Sequence, residues 1–366
     1  MGHSVTVFEQ RERLGGMLRY GIPDYRLPPD VLQKDIDYIL KTGVQVQTGV
    51  CIGKDISLEQ LRSEYDALYV AIGAHADKKL GLPGEDSGNV LSAVGFLRDC
   101  GEGRPLDFTG KKVVVIGGGN VSMDATRTAI RLGAESVTCV YRRRIDDMTA
   151  LPEEIADAQA EGCQILPLQA PHRIEAGEDG NVAALWTKPQ IIGSYGRDGR
   201  PAPRNAAERE FRIPCDYLII AIGQRIESDN FEKEGIETSR GALKADLTGY
   251  VPGTPNVFAG GDAVTGPATV IRAVAAGKVG AANIDSFLGY SHTISCDVQI
   301  PPAHLSNTPP CGRVQLKSRN PLEARGDFAL ASCGMTEEEA MQEAGRCLRC
   351  DHFGYGIFKG GRTTQW

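Results

Sequence analysis

A strand, a glycine turn and a helix follow one another directly in the middle of this 366-residue chain. The apolar run at 113–116 leads into Gly117, Gly118 and Gly119, and apolar residues then recur at helical spacing. Such a unit binds the pyrophosphate of a dinucleotide, because Gly117 permits a tight turn and Gly119 lets the phosphates approach the backbone. Ser122 takes the third fingerprint position and is small enough for close helix–strand packing. The chain therefore contains a dinucleotide-binding domain; a purely structural glycine turn is the less favoured alternative.

The end of the next strand indicates which nicotinamide cofactor is bound. NAD-binding domains carry an acidic residue there, which bonds the ribose 2′-hydroxyl. Here the strand at 137–141 is followed by Arg142, Arg143 and Arg144. Guanidinium groups hold a 2′-phosphate through charge-assisted hydrogen bonds. We therefore predict NADP(H), bound by Arg142 and Arg143, with a solvated basic turn as the alternative.

The rest of the chain alternates short β-branched runs with longer helical patterns, which predicts an α/β fold with parallel sheets. Strands are predicted at 4–8, 69–73, 112–116 and 217–223, and a helix at 30–42. Glycine occurs 44 times, a share well above the average of about 7%, and it is clustered. Two strands end in the same Ala-Ile-Gly sequence, so Gly73 and Gly223 are candidate cofactor contacts.

Two acidic residues lie where a second dinucleotide cofactor needs them. Glu9 closes the strand at 4–8, and an acid at the end of the second strand of such a fold binds ribose hydroxyls. Asp262 follows the strand at 256–259 and two glycines, a position suited to a ribitol hydroxyl. The next helix can direct its amino end at the pyrimidine edge of a flavin. Taken singly, an exposed acid and a common Gly-Asp turn remain the alternatives.

Taken in order, these segments resemble the small subunit of NADPH-dependent glutamate synthase and its flavoprotein relatives. The segment at 14–23, Leu-Gly-Gly-Met-Leu-Arg-Tyr-Gly-Ile-Pro, is specific to that group, and the resemblance covers about residues 1–290. It implies two interleaved, three-layer dinucleotide-binding domains of the α/β class, one for FAD and one for NADPH. It also implies electron transfer from NADPH through flavin to an iron–sulfur protein or a large catalytic subunit.

The resemblance also implies which residues bind the cofactors and where the domains divide. The FAD contacts are Glu9, Gly15, Gly16, Gly261, Asp262, Thr269 and Val270. The NADPH contacts are Gly117, Gly119, Asn120, Val121, Arg142 and Arg143. The expected domains are 1–108 and 227–290 for FAD, 109–226 for NADP(H), and 291–366 as a mostly irregular cysteine-containing tail. Hydride transfer from nicotinamide to flavin depends on positioning, so no catalytic side chain is assigned.

This sequence departs from the family in two features that would precede Met1. They are the first glycine fingerprint and an amino-terminal cysteine-rich segment that holds iron–sulfur clusters. Three explanations are open: the chain is a fragment, the missing strand comes from elsewhere, or the flavin site is lost. The expectation we favour is a fragment.

The ten cysteines fall into two groups. Five are scattered singly through apolar surroundings and are expected to be core residues: Cys51, Cys100, Cys139, Cys163 and Cys215. No cysteine pair follows Gly16 or lies within 111–225, so a dithiol relay is not expected. In the tail, a capping box at 336–339 predicts a helix that delivers Cys347 and Cys350. Two thiolates are half of what an iron–sulfur cluster or zinc requires, and inert thiols or a redox pair are the alternatives.

The net charge of −7 argues against a nucleic-acid partner. No apolar run approaches the roughly 18 residues of a membrane span, and no secretory signal is visible, so we expect no membrane insertion and a cytoplasmic location. His75 and His172 are expected at the surface, and Glu153 and Glu154 in the first turn of a helix. The leading hypothesis is an NADPH-oxidising FAD subunit that reduces an iron–sulfur partner. The alternatives are a flavoprotein subunit of a ferredoxin, quinone or hydrogenase-type complex, or a non-catalytic NADP(H)-binding module.

Overall fold

The computed structural model describes residues 1–196, 199–293 and 311–347. The strands are β1 Thr6–Glu9, β2 Gln45–Thr48, β3 Leu68–Val70, β4 Ala76–Asp77, β5 Val90–Ser92, β6 Lys112–Ile116, β7 Ser136–Val140, β8 Gln164–Leu166, β9 Gln169–Ala176, β10 Val182–Tyr195, β11 Pro201–Asn205, β12 Phe211–Pro214, β13 Tyr217–Ile220, β14 Gln224–Arg225, β15 Thr238–Ser239, β16 Ala242–Leu243 and β17 Val257–Ala259. The helices are α1 Met17–Tyr20, α2 Pro29–Leu40, α3 Leu58–Glu64, α4 Ala93–Gly101, α5 Asn120–Arg131, α6 Pro152–Ala160, α7 Asp229–Lys233, α8 Asp262–Thr265, α9 Val270–Phe287, α10 Pro321–Ala324 and α11 Glu337–Gly345. A single 3₁₀ turn covers Ile145–Asp147.

A five-stranded parallel sheet in the order β5-β13-β6-β7-β8 contains the predicted NADP(H)-binding motif, and the domain built on it is here called the nicotinamide half after that prediction. Successive side chains of β6 point to opposite faces. Val113 and Val115 pack with Phe96 of α4 and Ala125 of α5. Val114 and its neighbours pack against a separate antiparallel sheet. Because both faces are covered, the central strand is a continuous apolar run, and the predicted three-layer α/β class is confirmed.

The antiparallel sheet that covers the second face comes from β9 to β12, with β10 pairing with β9, β11 and β12. Leu185 on β10 is fully buried, opposite Ile174 on β9 and Ile213 on β12. Sequence periodicity did not predict these strands. Polar residues interrupt their apolar alternation, and burial against the parallel sheet is what selects the inward-facing positions.

The domain predicted to bind FAD, here called the flavin half, consists of segments that precede and follow the nicotinamide half in the chain. Strand β17 pairs in parallel with β3, and β1 pairs in parallel with β2. No strand among the described residues joins these two pairs. A core of Leu58, Val70, Phe231 and Val251 brings the early and late segments together.

Two short strands, β4 and β14, carry the chain between the halves and pair with each other, Gln224 opposite Asp77. Strand β5 and helix α4 precede the predicted boundary at residue 109, yet β5 forms the edge of the nicotinamide sheet, with Val90 opposite Leu218. The nicotinamide half therefore begins earlier than the motif at 112 suggested.

The described part of the tail contains two short helices, of which α10 packs against α6 of the nicotinamide half. In α11, Thr336 Oγ1 accepts from the Glu339 amide at 3.2 Å and the Glu339 carboxylate accepts from the Thr336 amide at 2.9 Å. The predicted capping box is therefore confirmed. Arg325 donates to the Glu161 carbonyl. None of the helices within the described ranges combines the length and apolar character that a bilayer span requires.

Candidate cofactor-binding site

The glycine turn between β6 and α5 is closed on one side by neighbouring strands. Gly117 has a φ of +152°, and a Cβ there would overlap the Ala221 carbonyl oxygen and the Ser122 hydroxyl. Ser122 is fully buried and donates to that same carbonyl at 3.2 Å. A Cβ at Gly118 would overlap the Tyr141 ring. Ser122, at the third fingerprint position, therefore holds α5 against the residue that follows β13.

The other side of the turn is open. Gly119 caps α5 without a side-chain hydrogen bond, and within the described residues a Cβ at Gly119 would meet only the Thr149 hydroxyl, at 3.4 Å. These features fit a pyrophosphate, which needs backbone N–H groups and close approach. Asn120 and Val121 begin the helix as predicted. The Asn120 side chain, however, accepts a hydrogen bond from the Leu151 amide at 2.9 Å. Its backbone N–H, and not its side-chain oxygen, is therefore the group left for a ligand.

Three consecutive arginines follow β7, and the structure separates their roles. Arg142 is exposed and makes no hydrogen bond or ion pair within the described part of the chain. Arg143 is half-buried and donates one Nε bond to the Pro201 carbonyl at 2.9 Å, which orients its guanidinium. Arg144 is engaged by Asp147 through two bonds of 2.8 Å. Arg142 and Arg143 are therefore available to an anionic ligand, and Arg144 is not.

Gly223 lies three residues after the end of β13, the strand beside β6. It has a φ of +120°, and a Cβ there would lie 3.5 Å from the nearest side-chain atom of Lys78. The following residue, Gln224, contacts the Met17 sulfur at 4.0 Å. Met17 begins α1 immediately after Gly16. The turn after β13 of the nicotinamide half therefore meets the first helix of the flavin half.

The first flavin edge is formed by the residues after β1. Glu9 ends that strand, and its carboxylate accepts from the Arg11 amide at 2.8 Å. Gly15 and Gly16 have φ of +124° and +51°, and Gly16 caps α1. A Cβ at Gly15 would lie 3.1 Å from Leu32. The two glycines thus serve a tight turn, and their contact with FAD stays a prediction.

The second flavin edge is formed by the residues after β3 and β17, which are adjacent parallel strands. Gly73 and Gly261 have φ of +66° and +65°. Asp262 accepts from the Ala268 amide at 3.2 Å, and burial raises the pKa of its carboxyl. Thr269 caps α9 without a side-chain bond, and Val270 in the first turn is exposed. An exposed, uncapped helix start beside a carboxylate suits the polar edge of a flavin.

His75 is a residue of this edge that sequence reasoning placed at the surface. It is half-buried, and burial together with the neighbouring Arg11 lowers its pKa, so the imidazole is neutral at pH 7. The carboxylates of Glu227 and Asp262 oppose this lowering of the pKa without reversing it. The sequence did offer one signal for this position, because His75 lies two residues after the Ala-Ile-Gly sequence that ends the predicted strand. The His172 side chain is 40% exposed and pairs with Glu210 at 3.1 Å, which agrees with its prediction.

A buried polar network joins the segment after the 14–23 motif to the nicotinamide half. The Tyr25 ring is fully buried, with the Arg131 guanidinium 3.8 Å from its centroid. Arg26 binds both carboxylate oxygens of Asp124, at 2.8 and 2.9 Å, and pairs with Glu154 at 3.0 Å. Glu154 lies in the first turn of α6 as predicted and has a structural partner. The network fixes the flavin edge relative to α5.

The described cysteines do not offer a reactive pair beside the cofactor edges. Cys139 and Cys163, which stand apart in sequence, lie in one core cluster. Burial raises the pKa of both thiols, that of Cys163 to about 12, so they remain protonated. Thiols of this kind are poor nucleophiles. In the tail, Cys347 is exposed, and Cys350 lies outside the described residues.

A family model described as pyridine nucleotide-disulphide oxidoreductase matches residues 1–277. The NADP(+)-dependent formate dehydrogenase subunit beta of Moorella thermoacetica is 35% identical over 98% of this chain and 53% of its own length. The NADPH-Fe(3+) oxidoreductase subunit beta of Geobacter sulfurreducens is 33% identical over 95% of this chain and 58% of its own. The glutamate synthase [NADPH] small chain of Escherichia coli is 32% identical over 78% of this chain and 64% of its own length. The chain thus spans about half the length of the first two.

Solved structures share the fold at low sequence identity. A complex of Mycobacterium tuberculosis FprA with NADPH superposes with a TM-score of 0.64 at 19% identity, over 78% of this chain and 77% of that one. Thioredoxin reductase of T. acidophilum superposes with a TM-score of 0.57 at 18% identity, over 78% and 90%.

Proposed function

Because this chain belongs to the pyridine nucleotide-disulphide oxidoreductase family, we propose that it takes electrons from NADPH and passes them through FAD to an iron–sulfur partner. Relatives named glutamate synthase small chain, at 32–36% identity, confirm the family resemblance seen in the sequence. The chain is accordingly an NAD(P)-dependent oxidoreductase. Its acceptor, its partner and the individual cofactor contacts belong to the proposal.

One observation carries it: an open glycine turn lies beside Arg142 and Arg143, whose guanidinium groups pair with no carboxylate among the described residues. A second candidate cofactor edge lies in the same molecule, and the two halves touch. The contact runs from Gln224, next to Gly223, to Met17, next to Gly16. Two cofactors bound along these edges would approach each other there. Direct transfer between them requires such an approach.

Each set of residues has a task in this scheme. Arg142 and Arg143 would bind the 2′-phosphate, and the first turn of α5 the pyrophosphate. Asp262 and the start of α9 would orient the flavin, whose chemistry when bound is to accept a hydride from nicotinamide. His75, uncharged at neutral pH, would leave the second flavin edge without an added positive charge. None of these residues needs to move a proton during that step.

The identity of the electron acceptor is best argued from the tail. The formate dehydrogenase and NADPH-Fe(3+) oxidoreductase subunits match 98% and 95% of the chain, whereas the glutamate synthase small chains match 78%. The longer matches include the tail. We therefore favour a complex of the former kind, in which Cys347 and Cys350 supply thiolates to an iron–sulfur cluster or zinc completed by further ligands.

The test is anaerobic reduction of the purified chain supplied with FAD, followed by its visible absorption spectrum. NADPH should bleach the flavin band, and NADH should do so less effectively. Arg142→Ala and Arg143→Ala should each weaken NADPH binding by about 10- to 150-fold, the value of a charge-assisted hydrogen bond, and leave NADH binding unchanged. Arg144→Ala is the matched control, because that guanidinium is held by Asp147.

Two results would contradict the proposal. If FAD bound in the yellow form is not reduced by NADPH, the chain is not an NADPH–flavin oxidoreductase. If the chain binds NADPH but takes up no FAD, it is the non-catalytic NADP(H)-binding module. If the native chain used NADH and NADPH equally well, only the assignment of Arg142 and Arg143 to the 2′-phosphate would be overturned.

A further inference from the structure

Three side chains from separate segments converge beside the carboxyl end of α9. The His3 Nε2 and His292 Nδ1 atoms each lie 2.7 Å from Oδ1 of Asp285. All three potential ligand atoms lie within 4.8 Å of one another. The Asp285 side chain is 1% exposed, whereas those of His3 and His292 are 27% and 49% exposed. A buried carboxylate thus presents one oxygen to two imidazole nitrogens on a side that opens to solvent.

We propose that His3, Asp285 and His292 form a binding site for a divalent first-row transition-metal ion, with Zn²⁺ as the representative case. Two imidazole nitrogens and one carboxylate oxygen are a ligand set that such ions accept, and solvent can complete a tetrahedron. With metal–ligand bonds of about 2.0–2.1 Å, neighbouring ligand atoms in a tetrahedron lie about 3.4 Å apart. The two hydrogen bonds would lengthen by about 0.7 Å from their present length, which rotation of the exposed imidazoles supplies.

The surroundings already orient the ligands. The His292 amide donates to the other carboxylate oxygen of Asp285 at 2.7 Å, which turns Oδ1 toward the imidazoles. Tyr290 stacks on His292 with a centroid distance of 5.5 Å and contacts His3 edge-on at 5.4 Å. Groups that hold ligands in place raise metal affinity, because less motion is lost on binding. The neighbouring groups therefore hold the three potential ligands in a defined arrangement.

The position of the cluster indicates a structural ion and not a catalytic one. His3 precedes β1, whose carboxyl end is the cofactor edge, so it lies at the opposite end of that strand. Asp285 lies in the last turn of α9, about 22 Å along the helix from Val270 at the helical rise of 1.5 Å per residue. An ion here would join the first strand, the long helix and the residues after it. It would stabilise the flavin half without contacting the reacting atoms.

Cobalt(II) is the probe, used on the full chain after removal of metals with a chelator and alkylation of accessible thiols. We expect one equivalent of Co²⁺ to produce visible d–d bands of a tetrahedral site, without a thiolate-to-metal charge-transfer band. His3→Gln and His292→Gln should each weaken this binding by about 100-fold or more. His172→Gln is the matched control, because His172 also pairs with a carboxylate but, among the residues that the structure describes, belongs to no group of three potential metal ligands.

A stability readout accompanies the spectra. Zn²⁺ should raise the melting temperature of the native chain and of His172→Gln, and should leave that of His3→Gln unchanged. Circular dichroism of the metal-free variants checks that each is folded, and Asp285→Asn provides a second ligand substitution if either histidine variant is not. Native-like Co²⁺ binding in folded His3→Gln and His292→Gln overturns the proposal, as does a native chain with no d–d bands.

Discussion

Replacing two glycines of one turn should separate folding from cofactor binding. Gly119→Ala introduces a methyl group on the open side of the turn, where the backbone is extended (φ −103°) and the nearest atom is the Thr149 hydroxyl at 3.4 Å. The folded state should tolerate it. Gly117→Ala introduces the same group at a φ of +152° and into the Ala221 carbonyl. This change should strain the fold itself.

The expected magnitudes follow from these surroundings. The methyl group of Gly119→Ala would displace the pyrophosphate from at least one backbone N–H, and a hydrogen bond to a charged group contributes about 1.5–3 kcal/mol. The Kd for NADPH should therefore rise by about 10- to 150-fold. Overpacking at Gly117 should lower the free energy of unfolding by about 1–3 kcal/mol.

Both quantities are measured on each variant: the Kd by calorimetric titration with NADPH, and the free energy of unfolding by urea denaturation. Gly119→Ala should raise the Kd for NADPH and leave the free energy of unfolding unchanged. The reasoning is refuted if Gly119→Ala is as unstable as Gly117→Ala, or if its Kd equals the native value.

Two further predictions concern residues that the tertiary structure brought to notice. Tyr25→Ala should lower the free energy of unfolding by about 3–5 kcal/mol, because it removes a fully buried ring stacked on Arg131; urea denaturation measures this, and a loss below about 1 kcal/mol would show that the network does not hold the halves together. His75 has a lowered pKa in the folded state, so below the unfolded pKa of about 6.5 the unfolded chain binds more protons and stability falls as the pH falls. The loss is at most about 1.4 kcal/mol per pH unit, and His75→Gln should reduce the slope between pH 7.5 and 5.5; an unchanged slope would contradict the assignment.

Several local elements of this protein were predictable from the sequence alone. The unit from β6 through Gly117 and Gly119 to α5 is contiguous, so its apolar run, its glycines and its helical periodicity all describe one neighbourhood. The helix predicted at 30–42 is α2, Pro29–Leu40, and the capping box at Thr336 opens α11. Family motifs extended this to the two-cofactor α/β fold, which the comparisons confirm. The individual cofactor contacts stay predictions.

Only the tertiary structure decided what distant segments do together. It placed β5 in the nicotinamide sheet, covered that sheet with β9 to β12, and brought Cys139 beside Cys163 in one core. It also gathered His3, Asp285 and His292 from the two ends of the flavin half. Sequence patterns report which face of an element is apolar and how an element begins or ends. They do not report which faces meet, because that depends on the burial and hydrogen bonding of residues that are far apart in the chain.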